Sequence, residues 1–364
     1  MNLEDLGWDS HFNTQFENFE NKDALVPSRI TQEHKGSYVI INDAGEYPAE
    51  ISGRMRYTAR GYSDFPAVGD WVLAKLFSEE KKGIIHVILE RKTMFSRKAV
   101  LSGGLPDSQG KTEEQVIAAN INTVFLVNSM DSNFSLRRIE RYMTGVYDSG
   151  MNPVIILNKS DIADDVEDYV NQAGSIAFGT PVIPVSGLTG AGINNLRKFI
   201  RRGETIVFLG SSGVGKSTII NSLTGTDRQK VNTVRETDHK GRHTTTAREL
   251  IILSDGGLLI DTPGMREFQP WKGEKDTGNS FENIESFALK CRFKDCSHES
   301  EPGCAVKEAI NEGQLDPGRY KNYIQMKKEA GYLERRVDKK AEIAEKKKWK
   351  EIAKLQKQFK RKFD

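Results

Sequence analysis

Two hydrophobic patterns divide the chain. Between residues 29 and 98, short apolar runs alternate with polar positions and turns, clearly at 36–41, 68–74 and 83–89 and weakly at 49–56. Several short strands at this spacing are typical of a small β-barrel such as an OB-fold. The polar residues that precede them show no clear period, so they predict a loosely ordered extension or a short helix.

The second pattern begins after residue 112, where short apolar runs alternate with amphipathic segments. This alternation favours a mostly parallel, doubly wound sheet with one antiparallel edge. Residues 101–111 contain Gly, Ser and Pro and predict a mobile linker. The expected elements are strand 123–127, helix 135–147, strand 153–157, helix 164–173, strand 181–185, helix 193–201, strand 205–209 and an antiparallel hairpin of 248–253 with 258–261.

A glycine-rich segment joins the strand at 205–209 to a predicted helix. It fits the pattern G-x-x-x-x-G-K-[ST] in the strand–loop–helix context that this motif needs. Backbone N–H groups of such a loop surround phosphate oxygens, Lys216 adds a positive charge, and the Ser217 hydroxyl can ligate Mg²⁺. The motif predicts a nucleoside triphosphate without specifying its base. The candidate phosphate-binding residues are Gly210, Ser211, Ser212, Gly213, Val214, Gly215, Lys216, Ser217 and Thr218.

The ends of two upstream strands carry residues suited to guanine. Asn158, Lys159 and Asp161 form an N-K-x-D motif, in which the Asp161 carboxylate can accept hydrogen bonds from guanine N1–H and N2–H₂. Adenine offers neither donor in that arrangement, so such a site rejects ATP. Asn158 can tie its loop to the glycine-rich loop, the Lys159 stem can lie across the base, and the backbone at Ser186 can contact guanine O6. GTP and GDP are therefore the expected nucleotides.

A third nucleotide motif, Asp-Thr-Pro-Gly, ends the last predicted strand. Asp261 can hold Mg²⁺ through water, and the N–H of Gly264 can contact the γ-phosphate. The guanine motif precedes the glycine-rich loop, whereas regulatory GTPases usually have the opposite order. This rotated order indicates a circular permutation, which the nearby termini of a compact domain permit. The loop that senses the γ-phosphate then leads directly into the C-terminal segment.

All three cysteines of the chain lie in one short segment with a histidine. Cys291, Cys296, His298 and Cys304 supply three thiolates and one imidazole, which is a closed tetrahedral set typical of one structural zinc ion. An odd, clustered set of cysteines argues against a disulfide framework. Free cysteines beside an unrelated histidine are the alternative.

Basic residues are concentrated at the C-terminus. Residues 335–364 carry 13 Lys and Arg against 5 Asp and Glu, so a net charge of +2 leaves about −6 for the remainder. A basic helical tail beside a barrel favours attachment to RNA phosphates, and a solvated helix face is the alternative. The barrel region also carries basic and aromatic residues that suit an oligonucleotide-binding surface, and a solvated basic rim around core aromatics is the alternative. These residues are Arg54, Arg56, Tyr57, Arg60, Tyr62, Arg91, Lys92, Phe95, Arg97 and Lys98.

The chain has neither an apolar run long enough to span a bilayer nor the basic and apolar start of a secretion signal. We therefore expect a cytoplasmic protein without membrane contact.

Together these motifs resemble the RsgA family of circularly permuted GTPases, which act in assembly of the small ribosomal subunit. The resemblance covers nearly the whole chain: the barrel region, the permuted order, the cysteine cluster, and residues 241–246, which match the switch I motif of the family. It implies GTP hydrolysis stimulated by the small ribosomal subunit, contact with 16S rRNA and a zinc-binding C-terminal domain. We expect a monomer.

The residue that orients the attacking water must differ from the usual one. Many GTPases place a glutamine after D-x-x-G, but here that position is Met265, which has no suitable hydrogen-bonding group. His243 in the switch I segment is the nearest chemically able residue, and the resemblance also implies a catalytic histidine there; a solvated loop histidine is the alternative. Thr245 is expected to contact Mg²⁺, with Thr244 as the alternative. Lys216, His243 and Thr245 are thus the predicted catalytic residues.

These observations predict a multidomain fold and a GTPase that assists late maturation of the small subunit. A signalling GTPase with a protein partner, or an RNA-binding module in which nucleotide is only a structural ligand, are the alternatives. The predicted segments are an N-terminal extension (1–28), an OB-fold RNA-binding domain (29–100), a circularly permuted P-loop α/β GTPase domain (112–272), a helical zinc-binding domain (280–334) and a basic helical tail (335–364).

Overall fold

The computed structural model forms two compact units, Met1–Trp271 and Lys272–Asp364. The first contains a β-barrel, a separate hairpin and an α/β sheet, and the second contains short helices and a cysteine cluster. Within the described part of the chain, no helix combines the length and the apolar character needed to cross a membrane. The residues described are 2–20, 24–34, 36–100, 112–177, 179–225, 248–261, 282–293, 296–298, 301–315, 317–318, 320–321 and 323–324.

Residues before the barrel form a short helix, α1 (Ser10–Glu17), which is one of the two outcomes expected for them. Asp9 starts this helix, because its Oδ1 accepts a hydrogen bond from the N–H of His11 at 3.0 Å. Within the helix, Phe12 is buried against Trp71 of the barrel. The N-terminal segment is therefore packed onto the barrel by an aromatic contact.

Five strands close into an OB-like barrel: β1 (Val26–His34), β2 (Ser37–Asn42), β3 (Gly45–Ile51), β4 (Trp71–Phe77) and β5 (Lys82–Ile88). Their order is β1-β2-β3-β5-β4, and β4 pairs back with β1. Only β3 and β5 run parallel. The barrel expected from the alternating pattern is confirmed.

The first strand of the barrel was not expected from the hydrophobic pattern. Ile30 of β1 is completely buried in the barrel core, but Ser28, Arg29 and Thr31 are buried as well. Polar side chains at these positions hide the alternation that marks the other strands. Their burial depends on hydrogen bonds to distant parts of the chain, for example from the Asn42 Nδ2 to the Ser28 Oγ at 3.2 Å.

The weak alternation over 49–56 is divided between two elements. The strand β3 ends at Ile51, and a short helix, α2 (Gly53–Thr58), follows. Ser52 starts the helix, because its Oγ accepts a hydrogen bond from the N–H of Met55 at 3.2 Å.

An unpredicted hairpin follows the barrel. Its strands, β6 (Met94–Val100) and β7 (Thr112–Ala119), pair antiparallel. Phe95 and Ala118 are buried in the same core as the barrel side chains, which holds the hairpin against the first unit. The predicted linker over 101–111 falls outside the described residues.

The rest of the first unit alternates strands and helices as predicted. The helix expected over 193–201 is a single α-helical turn that continues as a 3₁₀ turn at Arg197–Phe199. The elements are β8 (Thr123–Ser129), α3 (Leu136–Asp148), β9 (Asn152–Asn158), α4 (Val166–Ala177), β10 (Val182–Pro184), α5 (Ile193–Leu196), β11 (Thr205–Leu209), α6 (Lys216–Thr224), β12 (Arg248–Ile252) and β13 (Leu258–Asp261).

These strands form a sheet in the order β10-β9-β8-β11-β13-β12, in which only β12 runs antiparallel. The antiparallel strand is not a free edge as expected, because β12 also pairs with β1 of the barrel through Gln32 opposite Glu249 and Glu33 opposite Arg248. The Arg248 Nη1 also donates to the Glu33 carboxylate at 2.6 Å. Barrel and α/β sheet are therefore one continuous eleven-stranded sheet.

Helices cover both faces of the α/β sheet. Successive residues of β8 illustrate this: Val124 is buried in the cluster that includes α3 and α4, and Phe125 in the cluster that includes α5 and α6. The doubly wound arrangement is thus confirmed. Because β8, β9, β11 and β13 are parallel, their carboxyl ends meet at one edge, where open α/β sheets bind ligands.

The second unit contains the helices α7 (Glu282–Ala288) and α8 (Ala305–Asn311). Ile284, Val306 and Tyr323 are buried in a small core of its own. Partly buried cysteines pack against this core, so the second unit combines a small apolar centre with the cysteine cluster. The predicted basic tail, 335–364, lies outside the described residues.

Candidate guanine-nucleotide and metal sites

The glycine-rich loop lies at the carboxyl end of the buried strand β11 and leads into α6. Gly215 has a φ of +88°, and a Cβ at this position would lie 2.2 Å from the Asn158 Nδ2, so the close approach requires glycine. The Lys216 Nζ donates to the carbonyl groups of Gly210 at 2.6 Å and Ser211 at 2.8 Å. The loop is therefore wrapped around the ammonium group, and the first turn of α6 directs N–H groups to the same place.

Asn158 connects three loops of the site. Its Nδ2 donates to the carbonyl of Val214 in the glycine-rich loop at 2.8 Å. Its Oδ1 accepts a hydrogen bond from the N–H of Gly187, which follows Ser186, at 2.9 Å. The structure thus places the N-K-x-D motif and the Ser186 segment against the glycine-rich loop, residues 210–218, which is also called the phosphate loop below. A guanine nucleotide requires this placement.

The exposed carboxylate of Asp161 is aligned by a buried serine. The Ser186 Oγ donates to the Asp161 Oδ1 at 2.5 Å and accepts from the N–H of Thr189 at 3.1 Å. The Ser186 hydroxyl holds one oxygen of the Asp161 carboxylate. Because Asp161 is exposed, a base with two N–H donors can reach this carboxylate.

Lys159 is held by an acidic residue that sequence reasoning missed. The Lys159 Nζ donates to the Asp131 Oδ2 at 2.7 Å. Burial alone would raise the pKa of Asp131, but hydrogen bonds from Lys159, Ser129 and the N–H of Asn133 hold that pKa below its ordinary value. Asp131 follows β8 and belongs to no motif, so only the general rule that ligand sites lie at strand ends could have indicated it.

Two predicted Mg²⁺ ligands lie at this edge of the sheet. Ser217 is in the first turn of α6, and Asp261 ends β13, the strand that pairs in parallel with β11. A hydroxyl at the end of the phosphate loop and a carboxylate at the end of the neighbouring strand therefore lie at the same edge of the sheet, and both provide the oxygen ligands that Mg²⁺ prefers. The other predicted residues, His243, Thr244, Thr245, Gly264 and Met265, lie outside the described residues.

The cysteine cluster brings four ligand atoms together. One atom from each of Cys291, Cys296, His298 and Cys304 lies within 4.8 Å of all the others. The His298 Nδ1 is 3.5 Å from the Cys291 Sγ and 3.4 Å from the Cys304 Sγ, and the two sulfur atoms are 3.9 Å apart. Tetrahedral zinc with Zn–S bonds of about 2.3 Å needs sulfur atoms about 3.8 Å apart. The donor set and its spacing therefore fit a metal of this kind.

The start of α8 favours a thiolate in this cluster. Burial raises the pKa of Cys291, but hydrogen bonds from the backbone N–H groups of Val306 and Ala305, together with those from the thiols of Cys296 and Cys304, outweigh it, and the pKa lies below the ordinary value. A metal ligand must be deprotonated, so this environment suits cation binding.

The candidate RNA surface of the barrel is smaller than expected. Arg91 is engaged with Asp70, to which its Nε and Nη2 donate at 2.8 and 2.7 Å, and Phe95 is buried in the core. Tyr57 and Tyr62 remain on the surface with exposed fractions of 91% and 45%. The arginines at positions 54, 56 and 60, which are close to these tyrosines in the sequence, are exposed as well.

The chain is similar in sequence to known GTPases of small ribosomal subunit biogenesis. The sequence model of a family described as RsgA GTPase matches residues 88–271. The small ribosomal subunit biogenesis GTPase RsgA of Opitutus terrae is 42% identical over 361 residues, which cover 97% of this chain and 96% of that protein.

Two solved structures share the fold. The crystal structure of YjeQ from Thermotoga maritima matches with a TM-score of 0.60 and 25% identity, over 84% of this chain and 98% of that one. The structure of YloQ, described as a circularly permuted GTPase, matches with a TM-score of 0.57 and 23% identity, over 86% and 98%. Motif order, sheet topology and full-length similarity agree, and the chain therefore belongs to the RsgA family of GTPases.

Proposed function

We propose that this GTPase binds the small ribosomal subunit, assists its late maturation and hydrolyses GTP faster when the subunit is bound. The continuous sheet that joins an OB-like barrel to the nucleotide site carries this proposal. The strand β12 pairs with β1 of the barrel and follows closely after the candidate switch I segment, 241–246. A change at the barrel can therefore reach the switch through one strand. Relatives named for small-subunit biogenesis support the same partner.

The barrel surface supports ribosomal RNA as the ligand, and we propose 16S rRNA. Unpaired bases stack on exposed aromatic rings, and Tyr57 and Tyr62 offer two such rings beside exposed arginines. The basic segment 335–364 adds charge for phosphate contacts that do not depend on base sequence. The protein would act as a cytoplasmic monomer.

The proposed roles in hydrolysis follow from the placement of the motifs. Asp161 and Lys159 select guanine, and the loop from Gly210 to Thr218 holds the phosphates, with Lys216 neutralising charge that develops there. Ser217, Asp261 and Thr245 would hold Mg²⁺, which screens the β- and γ-phosphate charges when bound. Gly264 would contact the γ-phosphate, and His243 would orient the attacking water.

We assign Zn²⁺ to the cysteine cluster as one structural ion. Three thiolates and one imidazole complete a tetrahedral shell and leave no position for a substrate. The ion would stabilise the second unit, whose apolar core is small.

Co-sedimentation with purified small subunits tests the proposed partner. At physiological salt we expect the full chain to pellet with subunits when a non-hydrolysable GTP analogue is present, and less when GDP is present. Failure to pellet with the analogue would favour a signalling GTPase whose partner is a protein. A Lys216→Ala chain that still supports subunit maturation would instead favour an RNA-binding module with a structural nucleotide.

A further inference from the structure

The segment that runs from the last residue of β8 into the first turn of α3, residues 129–138, contacts both halves of the nucleotide site, and we call it the bridging loop. At one end, the Asp131 Oδ2 accepts from the ammonium of Lys159. Its Oδ1 accepts from the Ser129 hydroxyl at 2.7 Å and from the N–H of Asn133 at 2.9 Å. Both carboxylate oxygens are thus engaged, so the acceptor that faces Lys159 has a fixed orientation.

The other end of the bridging loop contacts the phosphate loop. The Arg138 Nη1 donates to the Ser211 Oγ at 2.8 Å and to the Asn133 Oδ1 at 3.0 Å. The Asn133 Nδ2 donates to the Ser211 Oγ at 3.3 Å and to the Ser212 carbonyl at 3.4 Å. Arg138 is therefore held on the second residue of the glycine-rich loop.

Asn133 joins the two ends. Its backbone N–H is bound by Asp131, and its side-chain amide is shared between Arg138 and the phosphate loop. The Lys159 and Asp131 side chains are only 31% and 23% exposed, so their attraction is screened less than that of a surface pair. A displacement of Asp131 is therefore transmitted through Asn133 to Arg138, and the reverse also holds.

We propose that Asp131 and Arg138 are positioning residues that fix Lys159 of the N-K-x-D motif and the phosphate loop relative to each other. Asp131 acts through Lys159, and Arg138 acts through Ser211. This inference rests on the nucleotide-binding roles proposed above for those two partners. Because the bridging loop organises the site before chemistry begins, it sets nucleotide affinity more than the rate of the hydrolytic step.

Equilibrium binding of fluorescently labelled GDP and GTP to the purified full chain tests this inference. We expect Asp131→Asn and Arg138→Met each to raise the Kd for both nucleotides about tenfold, with little change in kcat at saturating GTP. The double variant should lose less than the product of the single losses, because Asp131 and Arg138 both hydrogen-bond to Asn133 and are therefore coupled. Exposed residues of the same two types provide matched controls, and Asp164→Asn and Arg137→Met should bind within about twofold of the unaltered chain.

The outcomes separate this inference from the proposed nucleotide site. If the unaltered chain prefers guanine nucleotides but the Asp131 and Arg138 variants bind like the controls, the positioning role is wrong. If the unaltered chain has no preference for guanine, the assignment of the nucleotide site itself fails. Should Arg138→Met lower the thermal unfolding temperature, Ser211→Ala removes the same contact from the other side. It should then show the same tenfold loss, and normal binding by it would also contradict the proposal.

Discussion

At the scale of single residues, close approaches decide which side chains the phosphate loop tolerates. Gly213 and Gly215 both have positive φ angles, +81° and +88°. A Cβ on Gly213 would meet nothing within 4 Å, whereas a Cβ on Gly215 would overlap the Asn158 amide. The two positions therefore share a conformational requirement but differ in packing.

This difference predicts unequal costs for the same substitution. We expect Gly213→Ala to lower the free energy of unfolding by about 1–2 kcal/mol, because an L-residue is strained at positive φ. Gly215→Ala should cost more, because it must also displace Asn158 from the phosphate loop. Denaturant unfolding without nucleotide measures both values, and equal losses for the two variants would refute the proposed contact.

Residues within the nucleotide motifs could be predicted from sequence, because their spacing reflects one local geometry. Asp131 and Arg138 could not, since their partners Lys159 and Ser211 lie 28 and 73 positions further along the chain. Nothing local in the bridging loop specifies these pairs. They exist because parallel strands bring distant loops to the same edge of the sheet.

At the scale of elements, one buried arginine joins segments that the hydrophobic pattern treats as separate. Arg29 of β1 donates to the carbonyl of Leu6 near the N-terminus and to that of Gly69 before β4. It also donates to the Thr205 Oγ1 at 2.7 Å, at the start of the strand that carries the phosphate loop. Burial lowers the pKa of Arg29 to about 9, and hydrogen bonds to carbonyl oxygens replace its hydration.

Such polar contacts explain which strands were missed. The strands of the α/β sheet are apolar runs and could be located from sequence. In β1, buried Ser28, Arg29 and Thr31 mimic a surface pattern, because tertiary hydrogen bonds satisfy their polar groups. The alternation around Ser52 was misleading for a different reason, since a capping serine converts the end of a strand into the start of a helix.

We predict that the helices of the second unit depend on metal binding by the cysteine cluster. We expect native mass spectrometry to find one zinc ion per chain, and Cys304→Ser to lose it along with protection of α7 and α8 from proteolysis. Cys304 offers a sulfur ligand and lies directly before α8, so a bound ion would tie the start of this helix to the other three ligands, and the substitution removes that link. Ser297→Ala, in the same loop but not a ligand, is the control. Stoichiometric zinc in Cys304→Ser would contradict the assignment.

At the scale of the whole molecule, the permuted order places the nucleotide motifs, along the chain, between the two segments that we propose to bind RNA. The barrel precedes the guanine motif and is joined to the α/β sheet through β1 and β12. The loop that begins at Asp261 leads towards the second unit and the basic segment 335–364. Motif order was readable from sequence, but the pairing of β1 with β12 was not, because no local pattern encodes contact between strands over 200 residues apart.

Coupling of GTP hydrolysis to the small ribosomal subunit is the activity that we propose for this chain. Turnover of GTP and of ATP, each with and without purified small subunits, tests it most directly. We predict slow GTP hydrolysis by the chain alone, marked acceleration by subunits, loss of that acceleration in His243→Ala, and negligible ATP hydrolysis throughout. Equal GTP turnover with and without subunits would contradict the coupling, and ATP hydrolysis as fast as that of GTP would contradict the guanine preference.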